Sequence, residues 1–148
     1  MASDSKRERI LQNLIAGLGS LSWVRTVVRE QPGEPADLDR YAQTQFPVVA
    51  VLGRLPVPKK ERQAGRGKEF VSQLDVLLVV YALEVQAPDV EVSSMADDIW
   101  AAIFADRHRG GLAMDTTVLP ELEKGIYSPY VAFSLVACVT YVHDDKGI

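Results

Sequence analysis

The sequence predicts an α+β fold: a mostly antiparallel sheet of about five strands with two helices packed on one of its faces. Apolar residues recur at helical spacing in two segments, while runs rich in Val, Leu and aromatic residues indicate strands. The order is helix, three strands, helix, two strands. Short connections between consecutive strands favour hairpins, and hairpins build antiparallel sheets whose helices cover one side.

Both helices carry start signals and an apolar stripe. Ser5 and Glu8 form a capping box before the first helix. The second helix is predicted over residues 93–106, where Ser94 and Asp97 form a similar box. The stripes consist of Ile10, Leu11, Leu14, Ile15 and Leu18 in the first helix, and of Met95, Ile99, Ala102 and Ile103 in the second, with Trp100 and Phe104 widening its apolar surface.

The predicted strands cover residues 23–30, 46–55, 70–86, 112–119 and 126–143. The third is apolar on both faces, which indicates a central strand or a strand at a protein–protein contact. The last has one continuous apolar face, formed by alternate residues from Val131 to Tyr141. Pro120 is expected to end the fourth strand, and residues 121–125 to form a charged turn.

Residues 56–69 differ in character from the rest of the chain. They contain almost no apolar residues, which predicts an exposed, mobile basic loop between two strands. One interpretation is a solvated loop that keeps a hairpin soluble. The other is a basic finger that docks on an acidic surface or on nucleic-acid phosphates. The candidate interface residues are its five cations, Lys59, Lys60, Arg62, Arg66 and Lys68, which stand against Glu61 and Glu69.

Length and composition indicate one globular domain over residues 1–148, with 47% hydrophobic residues and a net charge of −4. That charge argues against a surface devoted to nucleic acid. Cys138 is the single cysteine and cannot form an internal disulfide, so it is interpreted as a small buried residue. No apolar run is long enough for a membrane span, and we expect no membrane partner.

Catalytic signatures are not visible in the sequence. It holds no P-loop, dinucleotide-binding glycine fingerprint or nucleophile elbow. His108 and His143 lack metal-ligand spacing and are interpreted as a helix-end cation and a strand-end surface residue. Asp75 stands out because it lies among apolar residues at the entry of the central strand, and the alternative interpretation is that it is the last solvated position of that strand. We therefore predict no enzyme activity and no catalytic, cofactor-binding or metal-binding residues.

Surplus apolar surface is the feature that remains. Two helices can cover one face of the sheet, but the opposite face of the long strands also carries Leu and Val. Uncovered apolar sheet surface and long strand edges favour contact with another subunit. The sequence therefore predicts an assembly protein.

The order of segments resembles the tail terminator, or tail completion, proteins of tailed bacteriophages. A helix leads into Thr-Val-Val-Arg at residues 26–29, and Phe-Pro-Val-Val-Ala-Val follows at 46–51. A charged loop, a Val-rich strand ending near Asp89 and an amphipathic helix come next. That helix runs into Arg109-Gly-Gly-Leu112, before a long terminal strand. The resemblance covers about residues 6–143.

The resemblance implies a non-enzymatic virion protein. Members form a homohexameric ring on the last ring of tail-tube protein, stop tube polymerisation and present a surface to neck or head-completion proteins. A sheath protein is a further partner if the tail is contractile. DNA only passes through the lumen, which agrees with a net negative charge. The expected location is the head-proximal end of the tail, after assembly in the host cytoplasm.

Two alternatives stay open at this point. The chain also fits a related neck or head–tail connector protein, which sequence pattern barely separates from a terminator. A small-molecule-binding α+β domain is the other alternative, and it would require convergent polar groups in a cleft.

Overall fold

The structure is a computed structural model that describes residues 5–29, 41–65, 67–83, 88–127 and 130–144. It confirms the α+β fold: two helices and a mostly antiparallel sheet, which has six strands rather than about five. The elements are α1 (Lys6–Gly19), β1 (Thr26–Arg29), a short 3-10 helix (Gln43–Gln45), β2 (Val48–Gly53), β3 (Val57–Ala64), β4 (Gly67–Leu83), α2 (Pro88–Phe104), β5 (Asp115–Tyr127) and β6 (Tyr130–Asp144).

The long strand β4 organises the sheet. The strand order is β1-β2-β4-β6-β5, and β3 also pairs with β4. One edge of β4 pairs with β6 from Glu69 to Leu83. Its other edge pairs with β2 over residues 76–81 and with β3 over residues 67–73. Because β2 and β3 share that edge, they lie end to end, so six strands occupy five rows.

The first strand pair departs from the predicted hairpin arrangement. Thr26 of β1 lies beside Val48 of β2 in a parallel ladder, whereas every other pair is antiparallel. Parallel neighbours need a connection of a dozen or more residues, and residues 30–47 supply one. The predictions for residues 30–40 lie outside the described residues. Both strands are also shorter than predicted.

α1 agrees with the sequence prediction. The Ser5 hydroxyl accepts a hydrogen bond from the Glu8 backbone N–H at 3.1 Å, as a capping box requires. The helix ends at Gly19. Its predicted stripe is buried against the sheet, apart from Ile15, which is half-buried at the margin.

α2 begins earlier than predicted, so the capping box at Ser94 is wrong. The helix starts at Pro88, a residue favoured in the first helical turn because it has no N–H to satisfy there. Ser94 is therefore an exposed residue within the helix, and Val92 joins the buried stripe. The helix ends at Phe104, before the predicted Asp106.

The last two strands divide differently from the prediction. β5 continues through Pro120, because an edge strand tolerates a residue that cannot donate to the ladder. A register irregularity between Glu121 and Gly125 replaces the predicted charged turn. Ile126 belongs to β5, so β6 begins at Tyr130. The predicted inward face of β6 is confirmed: alternate residues from Val131 to Tyr141 are all buried.

The predicted loop at residues 56–69 is a two-stranded ribbon, formed by β3 and the first part of β4 around a turn at Gly65. Its described side chains from Val57 to Lys68 are exposed, as predicted. The absence of apolar alternation suggested a loop. Both sides of this strand pair face solvent, so neither side needs apolar residues, and the alternating apolar pattern of a half-buried strand is absent.

Candidate assembly surfaces

The sheet face opposite α1 and α2, which we call the second face, is apolar over the half nearer to Leu83. Strand alternation places these residues, since their neighbours along each strand point into the helix-covered core. The apolar half consists of Val48, Ala50 and Leu52 of β2, Leu77, Val79, Tyr81 and Leu83 of β4, Ala132 and Val136 of β6, and Leu119 of β5, with Ser134 as a polar residue among them. Val48, Ala50, Ala132 and Val136 are already buried in the isolated chain, so the accessible apolar surface comes from Leu119, which is 56% exposed, and from the half-buried Leu52 and four β4 side chains. Neither described helix packs on this half.

The other half of the second face is polar. Gln73, Thr140 and Thr117 lie there, together with Asp75, which accepts a hydrogen bond from Gln73 Nε2 at 2.8 Å. Asp75 is half-exposed, in agreement with its interpretation as a solvated strand position. Cys138 lies beside it, and burial, followed by the Asp75 carboxylate, raises the pKa of the thiol to about 11. Such a thiol stays protonated at neutral pH, so Cys138 is a buried small residue and not a nucleophile.

The five predicted cations of the ribbon differ in whether they form ion pairs. Arg62 binds Glu69 at 3.1 Å and Lys68 binds Glu61 at 2.9 Å, so two of the cations hold the ribbon together. Lys59 and Lys60 are exposed and form no ion pair with any residue that the structure describes. Arg66 lies outside the described residues. Lys59 and Lys60 are therefore the cations available to a partner.

The pairing of β3 with β4 places Lys60 on the same side of the ribbon as the exposed Val57. Val57 lies opposite Gln73 and Lys60 lies opposite Val71, with an irregularity between Pro58 and Lys60 that takes up one residue. Gln73 and Val71 both belong to the second face, so Val57 and Lys60 belong to it too. Val57 is 52% exposed. The ribbon thus extends the second face with a basic, partly apolar surface.

The outer side of α2 is a surface that the sequence interpretation missed. Trp100, expected to widen the buried surface, is 43% exposed, and Val90 is 68% exposed. Asp97 lies between them on the same side, seven residues after Val90. Trp100 stacks on Phe104 with ring centroids 5.0 Å apart, which holds the indole in place. The sequence does contain a signal for this exposure: on a helix, position 100 points well away from the stripe of Met95, Ile99 and Ile103.

His143 has a different environment from the predicted surface position. It is half-buried, and its ring stacks on that of Phe70 with the centroids 5.6 Å apart. Its Nε2 lies 2.6 Å from the Ser72 hydroxyl oxygen. Its Nδ1 lies 2.9 Å from the Asp144 carbonyl oxygen, so Nδ1 donates there and Nε2 accepts from Ser72. A serine activated by histidine has this geometry. Ser72, however, is completely buried, so no substrate carbonyl can reach it, and the cluster instead ties β4 to β6 at the ribbon.

The segment after α2 forms a closed turn. Arg109, Gly110 and Gly111 all have positive φ, and Arg109 is only 2% exposed. Its Nη2 donates to the Ile103 carbonyl oxygen, where the helix ends, and burial lowers the pKa of the guanidinium. The Asp106 carboxylate accepts from the Gly110 N–H at 3.1 Å, which lowers the pKa of that carboxyl. Arg109 is thus a buried side chain that caps the end of α2.

A pocket suited to a small polar ligand is not evident in the described part of the chain. A half-open cavity of about 180 Å³ lies between the end of β4 and the start of α2, lined by Phe46, Pro47, Ala82, Leu83, Glu91 and Met95. Glu91 is its one charged residue, whereas ligand sites bring several polar groups together. Among the described residues, no cluster of His, Cys, Asp or Glu could hold a metal ion. No described helix is long and apolar enough to cross a membrane.

Comparison with the models of known protein families gives no match to this chain, and comparison with curated proteins gives no significant match.

Proposed function

We propose that this chain is a structural virion protein that assembles into a homohexameric ring on the end of a phage tail tube. One observation carries the assembly role: the apolar half of the second face, which neither helix covers. Side chains such as Leu77, Val79 and Leu119 on a sheet surface are stabilised when a second protein removes them from water. Each large side chain buried in this way contributes up to about 1.5–3 kcal/mol.

The tail terminator role rests on the resemblance of segment order described above, which also gives the number of six subunits. The ring ends polymerisation of the tail-tube protein and presents its other side to the neck or head-completion protein. A sheath protein joins it if the tail is contractile, and DNA passes through its lumen. No residue is assigned a catalytic role, and no cofactor is required.

The related neck or connector role gives a different result in a deletion experiment. If the chain ends the tube, a phage that lacks its gene should make tubes of uncontrolled length, because nothing stops addition of tube protein. Supplying the wild-type chain from a plasmid should restore uniform tails and infectious particles. Electron microscopy of the lysates measures both. Tails of normal length that do not join heads would assign the chain to the neck and contradict the terminator role.

A further inference from the structure

We propose that the ring is built head to tail: the second face and ribbon of one chain bind the outer side of α2 of the next copy. This inference rests on the proposed ring and names the contact that builds it. The partner is a second copy of this chain, recognised by charge and by exposed apolar residues. Two surfaces of the described molecule carry the inference, and they complement each other.

The first surface is the ribbon and the connection that leads into it. Residues 56–69 hold five cations and two carboxylates, a net charge of +3 in a chain of −4, which leaves −7 for the rest. Lys59 and Lys60 have no ionic partner in the described structure, and neither has Arg54 at the end of β2. Leu55 (74% exposed) and Val57 (52%) lie among these cations. The surface is therefore basic with an apolar centre.

The second surface is the outer side of α2. Among the described carboxylates, only Glu91 and Asp97 have neither a hydrogen bond nor an ion pair, and both belong to this helix. Val90 and Trp100 are the exposed apolar residues on the same side as Asp97, whereas Glu91 lies about 100° around the helix from Val90, beside the cavity at the end of β4. Among the described residues, the unpaired Asp97 carboxylate thus lies next to exposed apolar residues, as the unpaired Lys59 and Lys60 do in the ribbon, while Arg9 and Arg25 are exposed cations elsewhere.

The spacings of the two surfaces are compatible once the reach of the side chains is included. Val57 and Lys60 lie opposite Gln73 and Val71, which are two residues apart on β4, so the irregularity brings the two β3 positions to about 7 Å. Val90 and Asp97 are seven residues apart on one side of a helix, about 10 Å. The long side chain of Lys60 spans the difference, so an apolar contact between Val57 and Val90 would bring the Lys60 ammonium to the Asp97 carboxylate.

The placement of the two surfaces requires contact between different chains. Val57 and Lys60 belong to the second face, whereas α2 packs on the opposite face of the same sheet. One chain cannot bring them together, and each surface stays available to a different neighbour. Such a heterologous contact propagates, and it closes into a ring when the rotation between subunits divides the circle evenly.

Disulfide trapping tests the contact directly and captures even transient association. Chains carrying Lys60→Cys are mixed with chains carrying Asp97→Cys, oxidised under mild conditions and resolved by mass. Random collision gives about twice as much mixed dimer as either homodimer, whereas the proposed contact should give at least a tenfold excess joined through positions 60 and 97. Arg25→Cys, at another exposed position, replaces Asp97→Cys in the control and should show no excess.

Charge reversal provides a second test with the same logic. Chains with Lys59→Glu and Lys60→Glu should not self-associate, and neither should chains with Glu91→Lys and Asp97→Lys. An equimolar mixture should associate, because each altered ribbon then faces an altered helix, and each native ribbon a native helix.

A statistical yield of the mixed disulfide, or a charge-reversed mixture that stays monomeric, would overturn the inference. If tails carry a six-fold ring but no disulfide forms between positions 60 and 97, only the inferred contact is refuted and the proposed function stands. If the disulfide forms but tails carry no ring of this chain, only the proposed function is refuted.

Discussion

Leu135→Ala is expected to lower the free energy of unfolding by about 2–5 kcal/mol. Leu135 is 2% exposed in the middle of β6, opposite Leu78 of β4, and it faces the helices. Removing its isobutyl group leaves a cavity, because the paired backbones of β4 and β6 hold the surrounding side chains in place. Ile99→Ala on α2 should cost a similar amount, since Ile99 is completely buried against the same sheet. Urea denaturation with circular dichroism detection measures both values.

Leu119→Ala is the matched control for this prediction. Leu119 also lies in the sheet, but on the second face, where it is 56% exposed. Its replacement should change stability in the isolated chain by no more than about 0.5 kcal/mol. If the Leu135 and Ile99 variants unfold at the parent's urea concentration, the assignment of inner and outer faces is wrong.

A large effect on assembly is expected from a substitution on the second face. Val79→Lys should abolish ring assembly and leave the isolated chain folded. Val79 is half-buried in the middle of the apolar half of that face, between Ala50 and Ser134 on the neighbouring strands. In the isolated chain a lysine there can extend its ammonium into water. In the ring the same charge would be buried without a partner, which costs several kcal/mol.

Ala16→Lys serves as the control variant, because Ala16 is exposed on the outer side of α1, away from the second face. Both variants should melt within a few degrees of the parent. Complementation of the deletion phage should fail with Val79→Lys and succeed with Ala16→Lys. Normal particle yield with Val79→Lys would show that the second face is not buried in the assembly.

The elements that follow from the sequence are those whose burial has a clear period. The stripe of α1 repeats at helical spacing, and the inner face of β6 alternates over six residues from Val131 to Tyr141, so both could be predicted. The parallel pairing of β1 with β2 could not, because one four-residue strand beside a long connection carries no information about its direction. The start of α2 at Pro88 was missed because two serines further along offered a capping pattern that the longer helix does not use.

The candidate surfaces were predictable only in part. The apolar second face followed from strands that are apolar on both sides. The ribbon did not follow, although opposite charges are placed symmetrically about its turn: Glu61 with Lys68, and Arg62 with Glu69. Cross-strand pairs of this kind stabilise a solvated hairpin without any apolar pattern. The exposure of Trp100 depends on which side of α2 meets the sheet, and the second helix was predicted with a different start.

The most direct measurement of the central claim is a cryo-electron microscopy reconstruction of the head-proximal end of the tail, calculated first without imposed symmetry. The proposed function predicts a ring of six copies of this chain on the last ring of tube protein. In that ring the apolar half of each second face, including Val79, should be buried against the next copy. A ring of any other symmetry, or a six-fold ring with the second faces open to solvent, would contradict it.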